Sequence, residues 1–212
     1  MFRYALGIAL AAALSLPAQA SGRGDLRSGY AALLRHDYSL AIRYLTSAIE
    51  AGDLPPANLA LAYDYRGAEY LKTGRYDDAI GDFDRAISLA PRLPTAYSNR
   101  GIAHRKKGDY EKAIADYSAA IRVWPNWRHW YLNRGLAYAA MGRHNEAIAD
   151  YGRALFFKPD FAEAHVARAD AYLQQGRTSE ALADYRTALR EKPGIAQDYP
   201  GIAAKIARLG EQ

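Results

Sequence analysis

Apolar and polar positions along the chain follow helical rather than strand spacing. Tyr131, Leu132, Leu136 and Tyr138 share one face of a 3.6-residue repeat. Tyr110 to Val123 reads as a second helix that ends just before Pro125, because proline cannot continue a helix. Between segments of these two kinds stands a glycine (Gly74, Gly108, Gly142 or Gly176) that tolerates the left-handed backbone of a helix end. The pattern predicts an all-α chain made of paired helices.

The pairs are copies of one another. Ala79, Ala113, Ala147 and Ala181 are spaced 34 residues apart, as are Gly67, Gly101, Gly135 and Ala169. Phe83, Tyr117, Tyr151 and Tyr185 keep the same interval, and so do Ala86, Ala120, Ala154 and Ala188. Pro91, Pro125, Pro159 and Pro193 close the units. A weaker unit precedes them, with Gly29, Tyr38, Ala41, Leu45 and Ala48 in matching order and four extra residues near Asp53-Leu54-Pro55-Pro56. A period of this length marks an array in which each hairpin buries its apolar face against its neighbours. The units run over 22–55, 60–93, 94–127, 128–161 and 162–195. Small residues at the Gly101 and Ala113 positions are expected where the two helices cross, with the Tyr117-type aromatic filling the gap. Ile202, Ala203 and Ile206 predict a single closing helix over about 198–210, within a capping segment 196–212.

The stretch "SNRGIAHRKKGDYEKAIADYSAAIRVWP" resembles the tetratricopeptide repeat, with its small, small, aromatic and proline positions in a 34-residue frame. The resemblance covers residues 22–195. It implies a right-handed α-solenoid of five helix-turn-helix units plus the capping helix, whose first helices line a concave groove that binds peptides or protein segments. The carboxylate clamp found in some members is not matched. Its positions hold Asp64, Ala68, Asn99, His129 and Asn133, of which only Asn99 agrees, and Asp64 repels a carboxylate.

Residues 1–20 stand apart from the array. Arg3, an apolar run from Ala5 to Leu16, and the small residues Ala18 and Ala20 predict a cleaved export signal. The run falls short of the roughly 20 residues a membrane span needs. The mature chain is therefore expected to be exported without an integral span, to the periplasm of a Gram-negative cell or otherwise to the outside. Cysteine is absent, so neither disulfides nor lipoprotein acylation enter. The net charge is +5, without a run of basic residues, which is a poor footprint for nucleic acid.

Candidate chemistry is sparse. No HExxH pair, GxSxG elbow or phosphate loop occurs, and neither catalysis nor a cofactor is expected. Asp77, Asp78, Asp82 and Asp84 lack the glycine-centred loop of a calcium site and read as a solvated face. Arg23-Gly24-Asp25 carries too little information to assign an adhesion role. Arg66, Arg100, Arg134 and Arg168 recur with Asp82, Asp116, Asp150 and Asp184, either as repeated structural ion pairs or as a basic stripe for an anion. Asn99 and Asn133, each sixth in its unit, are expected to line the groove with Ile102 and Leu136. Arg105 and Lys106 are placed further along it, where they attract acidic residues of a partner. Trp124, Trp127 and Trp130 crowd one junction, with Trp127 expected to form an exposed aromatic patch. These features predict a non-catalytic scaffold or client-holding module that binds a protein or peptide in its groove. A glycan- or peptidoglycan-binding envelope protein and an enzyme without a recognisable motif are the alternatives.

Overall fold

The computed structural model describes residues 21–210, and the expected export signal lies outside them. The chain forms two compact units, residues 21–108 and 109–210. The first contains α1 (Ser21–Leu34), α2 (Tyr38–Glu50), α3 (Pro56–Lys72), α4 (Tyr76–Leu89) and α5 (Pro94–Lys107). The second contains α6 (Tyr110–Val123), α7 (Arg128–Ala140), α8 (His144–Phe157), α9 (Ala162–Gln174) and α10 (Thr178–Glu191), followed by α11 (Ile195–Asp198) and α12 (Ile202–Gly210). No strand occurs among the described residues.

Local chemistry sets the ends of these helices. The residue before each closing proline leaves helical backbone: Ala90, Trp124, Lys158 and Lys192 have φ between −138° and −148° and ψ between 79° and 91°. The proline ring clashes with a helical conformation at the preceding residue, so each second helix stops there. The turns inside the hairpins need left-handed backbone, and Gly142 at φ 71° supplies it without a Cβ penalty. In the first hairpin His36 occupies this position at φ 60°, and it is the one non-glycine residue with positive φ among the described residues.

Within each unit, successive helices pack on one another. In the first, α1 packs on α2, α2 on α3, α3 on α4 and α4 on α5. In the second, the same holds from α6 to α10, and α12 returns to α10. The crossings are as close as the repeat implies. A Cβ on Gly67 would meet the Phe83 ring at 2.8 Å, and one on Gly135 would meet Tyr151 at 2.6 Å. Phe83, Tyr117, Tyr151 and Tyr185 are buried, as are Ala79, Ala113, Ala147 and Ala181. Each aromatic in a Gly67–Phe83 or Gly135–Tyr151 pair fills the space that its glycine leaves empty.

The end of the chain departs from the single helix expected. Tyr199 takes φ −131° and ψ 74° ahead of Pro200, which divides α11 from α12. Ile202, Ile206 and Leu209 turn inward onto the cluster of Val166, Tyr185 and Ile195. Ala203, expected on that face, is exposed. The apolar face follows the spacing i, i+4, i+7 that starts at Ile202.

Candidate functional site

In the first unit, the first-helix face centres on a buried acid. Asp64 of α3 accepts a hydrogen bond from Thr95 Oγ1 at 2.8 Å and another from Asn99 Nδ2 at 3.2 Å, both on α5. Asp64 is 4% exposed. Both partners are neutral, so burial dominates, and the carboxyl is pushed up from 3.8 to about 6 even though the two hydrogen bonds pull it down. The pKa is raised on folding, so the stability this group contributes is fully present below about 3.8 and is lost as pH rises through about 6. Asp64→Asn is expected to melt above the parent at neutral pH, with the gap closing towards about pH 4. Melting curves across that range check this, and a gap independent of pH would show that Asp64 is ionised throughout.

Asn99 thus differs from its expected role. It is buried, and its amide nitrogen is committed to Asp64, where it ties α5 to α3. Ile102 and Arg105 are half-buried on the same helix, and Lys106 is exposed. Arg105 Nε is buried without an acceptor. Asn133 and Leu136 belong to α7 in the second unit, and both are half-buried. Leu136 packs with Ala147, Tyr151 and Ala171, so much of its apolar surface serves the core.

The recurring arginines are largely spent inside the hairpins. Arg66 grips Asp82 through Nε and Nη2, both at 2.8 Å, and its Nη1 donates to Thr46 at 3.1 Å. Arg134 repeats this with Asp150 and Ser118. Arg168 grips Asp184 at 2.7 and 2.9 Å. These forks favour the structural reading of the series over a free basic stripe. Asp184 also faces His165 Nδ1 at 2.7 Å, while His165 Nε2 lies 2.9 Å from the Pro159 carbonyl. In the preceding repeat the same place is taken by Tyr131, whose hydroxyl donates to the Pro125 carbonyl.

A second arginine series escaped the sequence reading. Arg75, Arg143 and Arg177 lie 4.1, 4.6 and 4.3 Å from the ring centroids of Tyr70, Tyr138 and Tyr172. Each also pairs with the acid three residues on: Asp78, Glu146 or Glu180. The sequence did carry a signal. In the third repeat His104 replaces the tyrosine, Asp109 replaces the arginine and Lys112 replaces the acid, so the ion pair persists with its charges exchanged. The four aspartates of α4 are likewise engaged, Asp77 by Lys107, Asp78 by Arg75, Asp82 by Arg66 and Asp84 by Arg100.

The tryptophans form one aromatic edge in the second unit. Trp127 lies 5.8 Å from Trp124, 5.5 Å from His129 and 6.2 Å from Trp130. His129 stands edge-on to Phe161 at 5.0 Å. Trp124, and not Trp127 as expected, is the exposed ring, while Trp127 is half-buried among its neighbours and Trp130 is buried. Trp124 follows the end of α6 and is splayed outward by the extended backbone before Pro125, whereas Trp127 caps α7 and folds onto it. Burial, with Arg128 alongside, pushes His129 down to about 4, so its ring is neutral at pH 7.

Repeated helical hairpins with their polar residues engaged internally define the class: an all-α solenoid protein, with no group of His, Asp and Glu placed to hold a metal among the described residues. Tetratricopeptide repeat models match residues 26–94, 66–126, 98–155 and 162–195, and a further repeat model of this type matches 135–176. The chain belongs to the tetratricopeptide repeat family, whose members are in general protein-interaction scaffolds. Solved structures agree. A MamA crystal structure is 25% identical with a TM-score of 0.71, covering 84% of this chain and 94% of its own. TTC0263, a thermophilic TPR protein of Thermus thermophilus, is 27% identical with a TM-score of 0.67, covering 88% and 99%. MamA from Desulfovibrio magneticus shares the fold alone, at 18% identity and a TM-score of 0.74, covering 84% and 98%. No curated protein matches the sequence. No described helix is long and apolar enough to cross a membrane.

Proposed function

We propose that this chain is an exported, non-catalytic interaction module that holds a peptide or protein segment against its first helices. The observation that carries the reading is where the polar residues go. Arg66, Arg134 and Arg168 are consumed with Asp82, Asp150 and Asp184 by hairpin packing, while Arg105 and Lys106 at the end of α5 form no ion pair among the described residues. A helix C-terminus already favours cations, so a folded protein can hold these two ready for acidic residues of a partner. Export is inferred from the signal-like residues 1–20 and places the module in the periplasm of a Gram-negative cell or outside the cell otherwise.

The test is crosslinking of the protein in its native envelope, with the captured species identified. Arg105→Glu with Lys106→Glu is expected to lower capture several-fold while leaving circular dichroism unchanged. Capture at the parental level by the folded variant removes the first-helix site. The native product is expected to begin at Ser21, and one beginning at Met1 instead means a retained anchor.

A further inference from the structure

Nine arginines of the described chain lie over aromatic rings. Seven of them also hold a carboxylate: Arg66, Arg75, Arg100, Arg134, Arg143, Arg168 and Arg177. Arg128 and Arg153, both in the second unit, form no ion pair among the described residues. Arg128 lies between the rings of Trp127 at 5.2 Å and Phe161 at 5.4 Å, and its Nε is buried without an acceptor. Arg153 lies over Phe156 at 4.9 Å and Phe157 at 5.0 Å. The nearby Asp160 is held by Lys158 at 2.8 Å and senses Arg128 only at longer range.

These two guanidiniums stand along an aromatic edge that ends in exposed side chains. Phe156 is 70% exposed, the most of any large apolar residue described, and Trp124 is 37% exposed. Phe157 stacks near Tyr131 and belongs with Phe161 to one cluster, so the rings form a continuous band across the loops 124–127 and 158–161. Arg122, exposed at the end of α6, adds a further cation that forms no ion pair among the described residues.

A stacked guanidinium has already lost much of its rotamer freedom, and its outer N–H groups remain free for an anion. Its charge is also less costly to desolvate than an ammonium, which suits a protein interface. Arginine and aromatic residues together are the composition of interface hot spots. We infer that this edge is a second docking surface, which takes an acidic protein segment that carries an apolar side chain among its carboxylates. Carboxylates meet Arg128 and Arg153, and the apolar residue covers Phe156. The inference rests on the reading of the chain as an interaction module, but not on the first-helix site. The occupant is a protein segment and not a membrane, because Trp127 and Trp130 pack into one another and only Phe156 projects far.

The site carries its own reporter, since Trp124, Trp127 and Trp130 are the chain's three tryptophans. The probe is a fluorescein-labelled glutamate-rich peptide carrying phenylalanine, with a lysine-rich counterpart and phosphatidylglycerol vesicles as further arms. The full chain is expected to bind the glutamate peptide with a saturable rise in anisotropy, protection of tryptophan from acrylamide and loss of binding in high salt. Arg128→Gln with Arg153→Gln should weaken it about tenfold or more, Phe156→Ser should weaken it as well, and Arg143→Gln should leave it unchanged. Overturning results are no saturable binding at low salt, undiminished binding by the folded double variant, or vesicle binding without peptide binding. Tryptophan protection in the parent needs no variant, so it decides the matter even if the double variant fails to fold. Envelope crosslinking that persists in the double variant would leave the scaffold reading intact and remove this edge alone.

Discussion

Gly135→Leu is expected to lower the stability of the second unit by about 3 kcal/mol, at or beyond the usual upper end for overpacking. A Cβ alone on this residue would stand 2.6 Å from Tyr151 Cε1, closer than real side chains approach, and leucine adds three more carbons. Tyr151 cannot swing aside cheaply, because its ring is 1% exposed and packed with Ala147 and Ala171. The backbones of α7 and α8 must therefore separate, which also opens the contacts of Leu132 and Leu136. A loss of this size corresponds to a drop in melting temperature of roughly 6–12 °C for a chain this long. Truncating the ring in the same molecule, Gly135→Leu with Tyr151→Ala, should cost less than the sum of the two single changes. Additivity in thermal or urea denaturation would mean that the two residues do not share the crossing.

Asp184→Ala should be nearly as damaging, for an electrostatic reason. Asp184 is 6% exposed and is the shared acceptor for Arg168 and His165. Removing it leaves a largely buried guanidinium without its carboxylate, and breaking a buried pair in this way typically costs about 3–5 kcal/mol. Arg168 keeps some solvent contact, so the lower end of that range is expected. The exposed pair Arg75–Asp78 sets the comparison, because solvent screens it and Asp78→Ala should cost far less. Burial pushes the Asp184 carboxyl up, but the hydrogen bonds and charges of Arg168 and His165 outweigh it and hold the group below its ordinary range. Its stabilisation is therefore present above the ordinary carboxylate pKa and lost as the pH falls through the depressed folded value. Asp64 in the first unit has the opposite slope. Urea titrations of the parent, Asp184→Ala and Asp64→Asn across acid pH check both signs. An Asp184→Ala chain as stable as Asp78→Ala would show that solvent, rather than Asp184, neutralises Arg168.

The helices and their pairing were legible because their determinants are local. Proline excludes helical backbone at the residue before it, as at Trp124 and Lys158, and glycine admits the left-handed turn at Gly142. Gly67 and Gly135 could be assigned to close crossings because the 34-residue period places an aromatic at a constant offset from each. The Arg–Asp series was readable in the same way, since a pairing that recurs from repeat to repeat has to be satisfied inside the repeat. The exchange of charges at Asp109 and Lys112 was equally readable, but it shows only when Tyr70 and Arg75 are compared across repeats as one feature.

The candidate sites were less legible, because they depend on what lies above a residue and not on its place in the period. By position Asn99 belongs to a solvent-facing row, yet Asp64 claims its amide and burial removes it from solvent. By position Ala203 belongs to the closing helix's inner face, yet Pro200 delays that helix and turns Leu209 inward instead. The exchange of exposure between Trp124 and Trp127 follows from the extended backbone before Pro125 and from the packing of Trp127 on His129 and Trp130. The family, the helical hairpins and the small-against-aromatic crossings are written along the chain, since these rest on backbone conformations and on contacts that repeat at a fixed spacing. Tertiary structure alone decided which charges lack a counter-charge among the described residues: Asp64 bonded to neutral partners, and Arg128 and Arg153 stacked on rings. Burial and counter-charge are sums over neighbours contributed by several helices, and no single period along the chain encodes them.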